Sequence, residues 1–295
     1  MPATQIARQA HFAGPFVDNV HMNFSVVICR TCAVEHAGRL PSRCRICGDE
    51  RQYVPPSGQT WASLAELTSE GQRVVVDELE PGLLEIHVVP GVGINQRAKL
   101  ICTDAGNLLW DPVGFIDEAA IDDVRARGEV VAIVASHPHM FGVQVEWSHA
   151  LGRVPVLVAE ADMSWVARPD PVIEAWTGDL AVLPNVTLAQ PGGHFPGSAV
   201  AHWSAGAGGL GVLLTGDTVL PNPDRASVSF MRSYPNRIPL SAAVVERIAT
   251  HLTRFDFDRL YGNFADYLDA DAKRIVRRSA DRHKGWVQGD FDHLT

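Results

Sequence analysis

The chain has 295 residues, a net charge of −9, 46% hydrophobic residues and 20% charged residues. These proportions exclude large-scale disorder, and the length fits one large domain with a small appendage. The acidic balance disfavours a phosphate-backbone partner, so no nucleic acid is expected; no apolar run of about 18 residues marks a membrane span.

The opening stretch "MPATQIARQAHFAGPF" lacks an apolar core of signal-peptide length, and the expectation is a cytoplasmic protein. Next comes "CRTCAVEHAGRLPSRCRICGD", where Cys29 and Cys32 form one C-x-x-C pair and Cys44 and Cys47 a second. Two intervening residues let both thiolates of a pair turn onto one cation, and Gly48 suits the knuckle's turn. Four thiolates fit a closed tetrahedral Zn(II) site with a structural role, so a small zinc ribbon is expected over 1–57. Such a segment is too small to hold itself by core burial. The alternatives are unmetallated thiols or a small iron centre. His36, between the pairs, is a spare ligand at best.

The turn-rich "VPPSG" ends this extension, and a second domain is expected over 58–295. It begins with the helix-like "TWASLAELTSEGQ". Short apolar or β-branched runs then mark strands at 83–89, 98–104, 107–112, 130–136, 154–160, 186–190, 198–204, 211–217 and 259–262. Helical patterns fall at 117–128, 241–255 and 269–283. Strands alternate with helices in places and run consecutively elsewhere, which implies an α/β or α+β sandwich. Cys102 and His87 lie in apolar strands and read as core residues. His149 reads as a helix-surface or packing residue. The cationic side of 269–283, with Lys273, Arg274, Arg277, Arg278 and Arg282, reads as a solvated face.

Three strand ends carry metal-ligand types. "VVAIVASHPHMFG" places His137 and His139 two apart at the end of an apolar run, and in an extended chain residues i and i+2 share a side. Pro138 biases His137 toward extended geometry. "QPGGHFPGSAVAHW" places His194 in a glycine-rich turn. "GVLLTGDTV" places Asp217 at another strand end. Three imidazoles and a carboxylate suit Zn(II) or Fe(II). Taken singly, His194 can cap a strand and Asp217 can hold a turn.

The order H-x-H, then G-G-H-F-P-G-S, then L-L-T-G-D-T resembles the metallo-β-lactamase-fold hydrolases, over about 80–265. The resemblance implies an αββα sandwich, hence an α+β fold, with the metal at one edge of two facing sheets. It also implies a strand in "NLLWDPVGFID" that carries Asp111 beneath the metal. This chain departs from the family's H-x-H-x-D-H motif: Phe141 and Gly142 stand where Asp and His would be. Near the family's late His, in "LYGNF", Asn263 is the nearest polar residue. The inference is one metal at His137, His139, His194 and Asp217, the last a ligand or a water-positioning carboxylate.

Arg232 and Tyr234, in "FMRSYPNRIPL", are candidate substrate contacts, since this segment follows the Asp217 strand; an ordered surface loop is the plainer reading. The leading expectation is a mononuclear zinc hydrolase for a small ester, thioester or lactone. One alternative is an iron dioxygenase of persulfide-dioxygenase type using His137, His194 and Asp217. The other is a non-catalytic zinc-binding scaffold. A small-molecule substrate is expected, no membrane partner, and a homo-oligomer is left open.

Overall fold

The computed structural model describes residues 26–295; the opening of the expected 1–57 extension lies outside them. A three-stranded sheet comes first: β1 (Val27–Cys29) pairs with β2 (Glu35–His36) and with β3 (Trp61–Ser63). The sheet therefore takes its third strand from beyond the VPPSG joint. Gln59 adds to this, its amide donating to Cys29 Sγ and its carbonyl oxygen accepting the Cys44 N–H. Helix α1 (Leu64–Ser69) follows, closed by a reciprocal cap between Ser63 and Glu66.

The large domain has two facing sheets. One comprises β4 (Arg73–Glu80), β5 (Leu83–Val89), β6 (Ala98–Thr103), β7 (Gly106–Trp110), β8 (Val130–Val134), β9 (Val156–Ala159) and β10 (Ile173–Trp176), side by side in chain order. Pairing is antiparallel from β4 to β7 and parallel from β7 to β10. Crossover helix α2 (Glu118–Ala126), capped by Asp117, makes the parallel β7–β8 pair feasible. Helix α3 (Gln144–Ala150) links β8 to β9.

The other sheet has β11 (Leu180–Leu183), β12 (Val186–Ala189), β13 (Val200–Trp203), β14 (Val212–Leu214), β19 (Arg259–Tyr261) and β20 (Tyr267–Leu268) in that order. A glycine-rich turn α4 (Gly206–Gly209) precedes β14. Two small hairpins, β15 (Leu220–Pro221) with β16 (Val228–Ser229) and β17 (Met231–Ser233) with β18 (Ile238–Pro239), intervene before α5 (Ala242–Leu252). Helix α6 (Ala272–Gln288) packs on α5, and Arg277 and Lys284 both pair with Glu246 across them.

Strand alternation explains the layers. In β8, Ala132 and Val134 enter the core between the sheets, while Ile133 faces the outer core with α2 and α3. In β14, Val212 and Leu214 point inward and Leu213 points toward α5 and α6. Each fully buried aliphatic or Phe side chain contributes roughly 1.5–3 kcal/mol. The result is the αββα sandwich that the motifs imply.

The outer core on the α2/α3 side is continuous with the cysteine module: Ile28, Val34 and Ile46 pack in the same cluster as Phe141, Val145 and Trp147. Cys102 departs from its expected place in the core. It is only half-buried, because β6 ends one residue later at the turn into β7. The cations of α6 are not simply solvated: Lys273 pairs with Asp256, Arg274 with Asp271, and Arg278 donates to the Ala226 carbonyl. Among the described residues no helix is long and apolar enough to cross a membrane.

Candidate metal centres

The four cysteines meet at one point. Cys29 Sγ lies 3.6 Å from Cys47 Sγ and Cys32 Sγ lies 3.8 Å from Cys44 Sγ, far beyond a disulfide bond length. All four are buried. Turn hydrogen bonds from the Ala33 N–H to the Cys29 carbonyl and from the Gly48 N–H to the Cys44 carbonyl close the two knuckles. Hydrogen bonds among the thiols hold Cys29 down at about 6 and pull Cys44 down as well, while the same network pushes Cys32 and Cys47 up. Four thiolates at this spacing repel one another unless a cation neutralises them, so the donor set fits a metal. His36 Nε2 lies 3.5 Å from Cys44 Sγ, and its ring sits edge-on to Trp61.

The second cluster forms where several strands end at one edge of the sandwich. His137, His139, His194 and Asp217 are all buried, with one ligand atom from each within 4.8 Å of the others. His137 follows β8 in extended conformation, but Pro138–Met140 is a single 3-10 turn. The two histidines therefore converge through that turn rather than along an extended strand, with ring centres 5.1 Å apart.

Hydrogen bonds set the tautomers. Asp111, directly after β7, accepts the Ser136 N–H and the Ser136 hydroxyl. With its proton given to Asp111, Ser136 Oγ accepts from His137 Nδ1 at 2.9 Å. His137 Nε2 is then left with a bare lone pair and no protein partner. His194 Nδ1 donates to the Met231 carbonyl at 3.1 Å, which leaves its Nε2 3.1 Å from His139 Nδ1. Asp217 Oδ2 lies 3.5 Å from His137 Nε2 and 3.7 Å from His194 Nε2, and its Oδ1 is buried without a partner. Bare nitrogen lone pairs facing each other in a dry site repel, and a cation among them removes that cost. The donors present therefore fit a metal ion.

Burial favours the uncharged imidazole at two of the three histidines. Burial, with repulsion from His137, holds His194 down at about 4. Burial and repulsion from His194 and His137 hold His139 well below the ordinary imidazole range. Burial pushes Asp217 up, but His137 and His194 outweigh it and keep it ionised. Burial pushes Asp111 up to about 7 against the pull of His137 and Ser136.

The unfolded His194 titrates near about 6.5, so between there and about 4 the unfolded chain binds more protons. Stability of protein freed of metal at the histidine cluster should therefore fall as pH drops through that window. Urea unfolding should show a shallower fall in His194→Gln, and equal slopes would refute the assignment.

Glycine is required in the turn before Asp217. Gly216 has φ +53°, and a Cβ there would stand 2.3 Å from Ser136 Oγ, the atom that holds His137. Tyr234 sends its hydroxyl to the carbonyls of Asp217 and Ser229, and Arg232 pairs with Glu50 of the cysteine module. Asn263 is buried; its carbonyl accepts the Arg97 N–H and its side-chain amide nitrogen has no partner. His149 pairs with Asp170, and His87 lies 3.6 Å from Asp77.

Four residues of this region carry no sequence signal of their own. Ser136 is marked only by its place before the histidine pair. Phe195 packs its ring against all three imidazoles. Arg51 donates to the His194 carbonyl from 143 positions away. Asp162 accepts the Gly197 N–H and keeps its other oxygen buried and unpaired.

No family model matches the chain. An uncharacterized protein of Bacillus subtilis (strain 168), YmaE, is 43% identical over 270 residues, covering 90% of this chain and 98% of that protein. Among solved structures, TMB-1 aligns with a TM-score of 0.54 at 10% identity, over 71% of this chain and 97% of its own. A metallo-β-lactamase from Pontibacter korlensis aligns at 0.51 with 14% identity, over 72% of this chain and 99% of its own. The metallo-β-lactamase FIM-1 from Pseudomonas aeruginosa, solved in a mono-zinc form, aligns at 0.51 with 12% identity, over 72% and 96%. Identities this low speak for the fold alone, whereas the kinship with YmaE runs nearly end to end. The chain belongs to the family of YmaE, and its large domain has the metallo-β-lactamase fold.

Proposed function

We propose that this protein is a metal-dependent hydrolase with a single metal, zinc by preference, held by His137, His139, His194 and Asp217. Its substrate is a small ester, thioester, lactone or related acyl compound. The observation that carries this reading is the buried convergence of three imidazoles and one carboxylate, with His137 Nε2 and Asp217 Oδ1 unpartnered and His194 Nε2 facing only His139 Nδ1. A bound metal in such a site polarises an acyl oxygen and brings the pKa of a coordinated water toward about 7.

The chain's own residues supply the rest. Asp111 and Ser136 hold His137 with Nε2 toward the centre, and the Met231 carbonyl does the same for His194. Asp217 Oδ1, buried and unpaired, is placed to accept a proton from a water and orient it. Tyr234 spends its hydroxyl proton on backbone carbonyls, one of them that of Asp217, so we assign it to fixing that carboxylate. The four-cysteine cluster is assigned to a structural zinc. His139 Nδ1, 3.1 Å from His194 Nε2, favours the four-ligand set over an iron triad of His137, His194 and Asp217.

Elemental analysis of the parent and of His137→Ala/His194→Ala tests the reading. Two zincs in the parent and one in the variant are expected, followed by turnover of ester or lactone substrates only in the parent. Iron lost selectively from the variant would replace hydrolysis with dioxygen chemistry. A variant that loses no metal would leave a scaffold.

A further inference from the structure

We infer that Arg51 is a positioning residue of the histidine site, and that through it the order of the four-cysteine module sets how tightly that site holds metal. The inference rests on the metal site proposed above. Arg51 sits four residues past Cys47, at the end of the second cysteine knuckle. Its backbone N–H and its Nη1 both donate to Asp49 Oδ1, at 3.0 and 2.6 Å, so the knuckle itself orients the guanidinium. From there Nε donates to the His194 carbonyl at 2.7 Å. The guanidinium carbon lies 4.1 Å from the centre of the Phe195 ring. Phe195 in turn lies against His137, His139 and His194, with ring centres 5.7, 5.0 and 5.2 Å away.

The second support of His194 also leads back to this residue. The Met231 carbonyl, which orients the imidazole, belongs to β17. Ser233 at the end of β17 donates its hydroxyl to the Arg51 carbonyl at 3.0 Å. Asn236, in the same hairpin, donates to the carbonyls of Glu50 and Gln52. One residue of the cysteine module thus carries the backbone of His194 directly and its side chain through the hairpin. Arg51 is only 7% exposed, so these charge-assisted bonds work in a dry setting.

Charge alone predicts the opposite effect. A cation beside a metal site weakens metal binding, so deleting a merely adjacent arginine would tighten it. A positioning arginine, when deleted, loosens it. Groups that orient metal ligands are typically worth about 10–100-fold in metal affinity. Coupling of this kind is reciprocal, so metal at the histidines also steadies the cysteine module.

The test uses the full chain titrated with cobalt(II): thiolate charge-transfer bands report the cysteine site, and ligand-field bands gained beyond those that grow with them report the histidine site. Arg51→Met keeps bulk against Phe195 but removes the donors. It should keep the thiolate bands, lose about 10–100-fold in cobalt affinity at the histidines, and change the ligand-field bands there. Arg51→Lys should fall between that variant and the parent. Arg45→Met serves as control; Arg45 belongs to the same module but stacks on Trp165 and donates to the Ser164 carbonyl. It should match the parent.

Unchanged or tighter histidine-site binding in Arg51→Met overturns the inference. If that variant is insoluble, parent-like affinity in Arg51→Lys overturns it equally. A parent that takes up no cobalt at the histidines overturns the metal reading itself, and this inference with it. Uptake by the parent with no difference among the variants overturns this inference alone.

Discussion

Replacing Cys44 with serine is expected to release the cysteine-site metal and to unfold the segment around β1, β2 and β3. The small sheet gives Cys29 directly to the thiol cluster, and the Gln59 side chain, just ahead of β3, accepts the Cys44 N–H and donates to Cys29 Sγ. Structural zinc in small modules contributes roughly 10–16 kcal/mol of apparent binding free energy near neutral pH, which with the proposed zinc in place would be folding energy for this module. Removing one thiolate takes away most of that and leaves buried thiols without a cation. Because Ile28, Val34 and Ile46 share a core with Phe141 and Val145, the damage should spread to the outer layer of the large domain. Metal analysis combined with hydrogen exchange would show it: fast exchange over 27–63, with β12, β13 and β14 still protected. Parent-like zinc content and protection in the variant would mean that the module stands without its metal.

Restoring the family's first motif with Phe141→Asp/Gly142→His should abolish stable folding rather than create a second metal position. Gly142 has φ +50°, a left-handed conformation that a β-carbon penalises. A Cβ there would stand 2.1 Å from the Pro112 carbonyl oxygen and 2.7 Å from that of Val113, both backbone atoms that cannot swing aside. The Gly142 carbonyl also receives the Glu35 N–H, which joins the cysteine module to the large domain. Phe141, 1% exposed, fills the core where an aspartate would be buried without a partner. We expect a loss of more than about 4 kcal/mol, the range of severe core lesions. Gly142→Ala alone should produce much of it, read as a fall in the midpoint of thermal or urea unfolding. A double variant that unfolds like the parent and takes up a further metal would show that the backbone here can yield. The packing beneath the site thus favours the proposed single-metal arrangement, as do the missing ligands.

Much of the site was legible in the chain because its ligands lie at strand ends. β8 and β14 are short apolar runs, and buried polar residues take over shortly past their ends, at Ser136 and Thr215. The cysteine spacing spoke for itself, since both knuckles are local turns. Other elements left weaker traces. β4 is an edge strand with both faces partly wet, so "RVVVDELE" lacks the alternation that marks a half-buried strand. Helix α3 is buried almost all round, so it has no polar stripe, and its Glu146 is held by Arg168 together with Glu35.

By itself the sequence determined an α/β or α+β sandwich and the two donor sets, and the resemblance carried by its motifs implied the αββα class and the loss of the usual second-metal ligands. Each of these depends on period, local turn chemistry or residue identity within a few positions. Only the tertiary structure decided the 3-10 turn that brings His137 and His139 together, the relay from Asp111 through Ser136, and the place of Arg51 at the His194 backbone. The relay and the Arg51 contact join residues 25 and 143 positions apart. They form because the two facing sheets and the four-cysteine module pack together, and such packing leaves no periodic trace in any one segment.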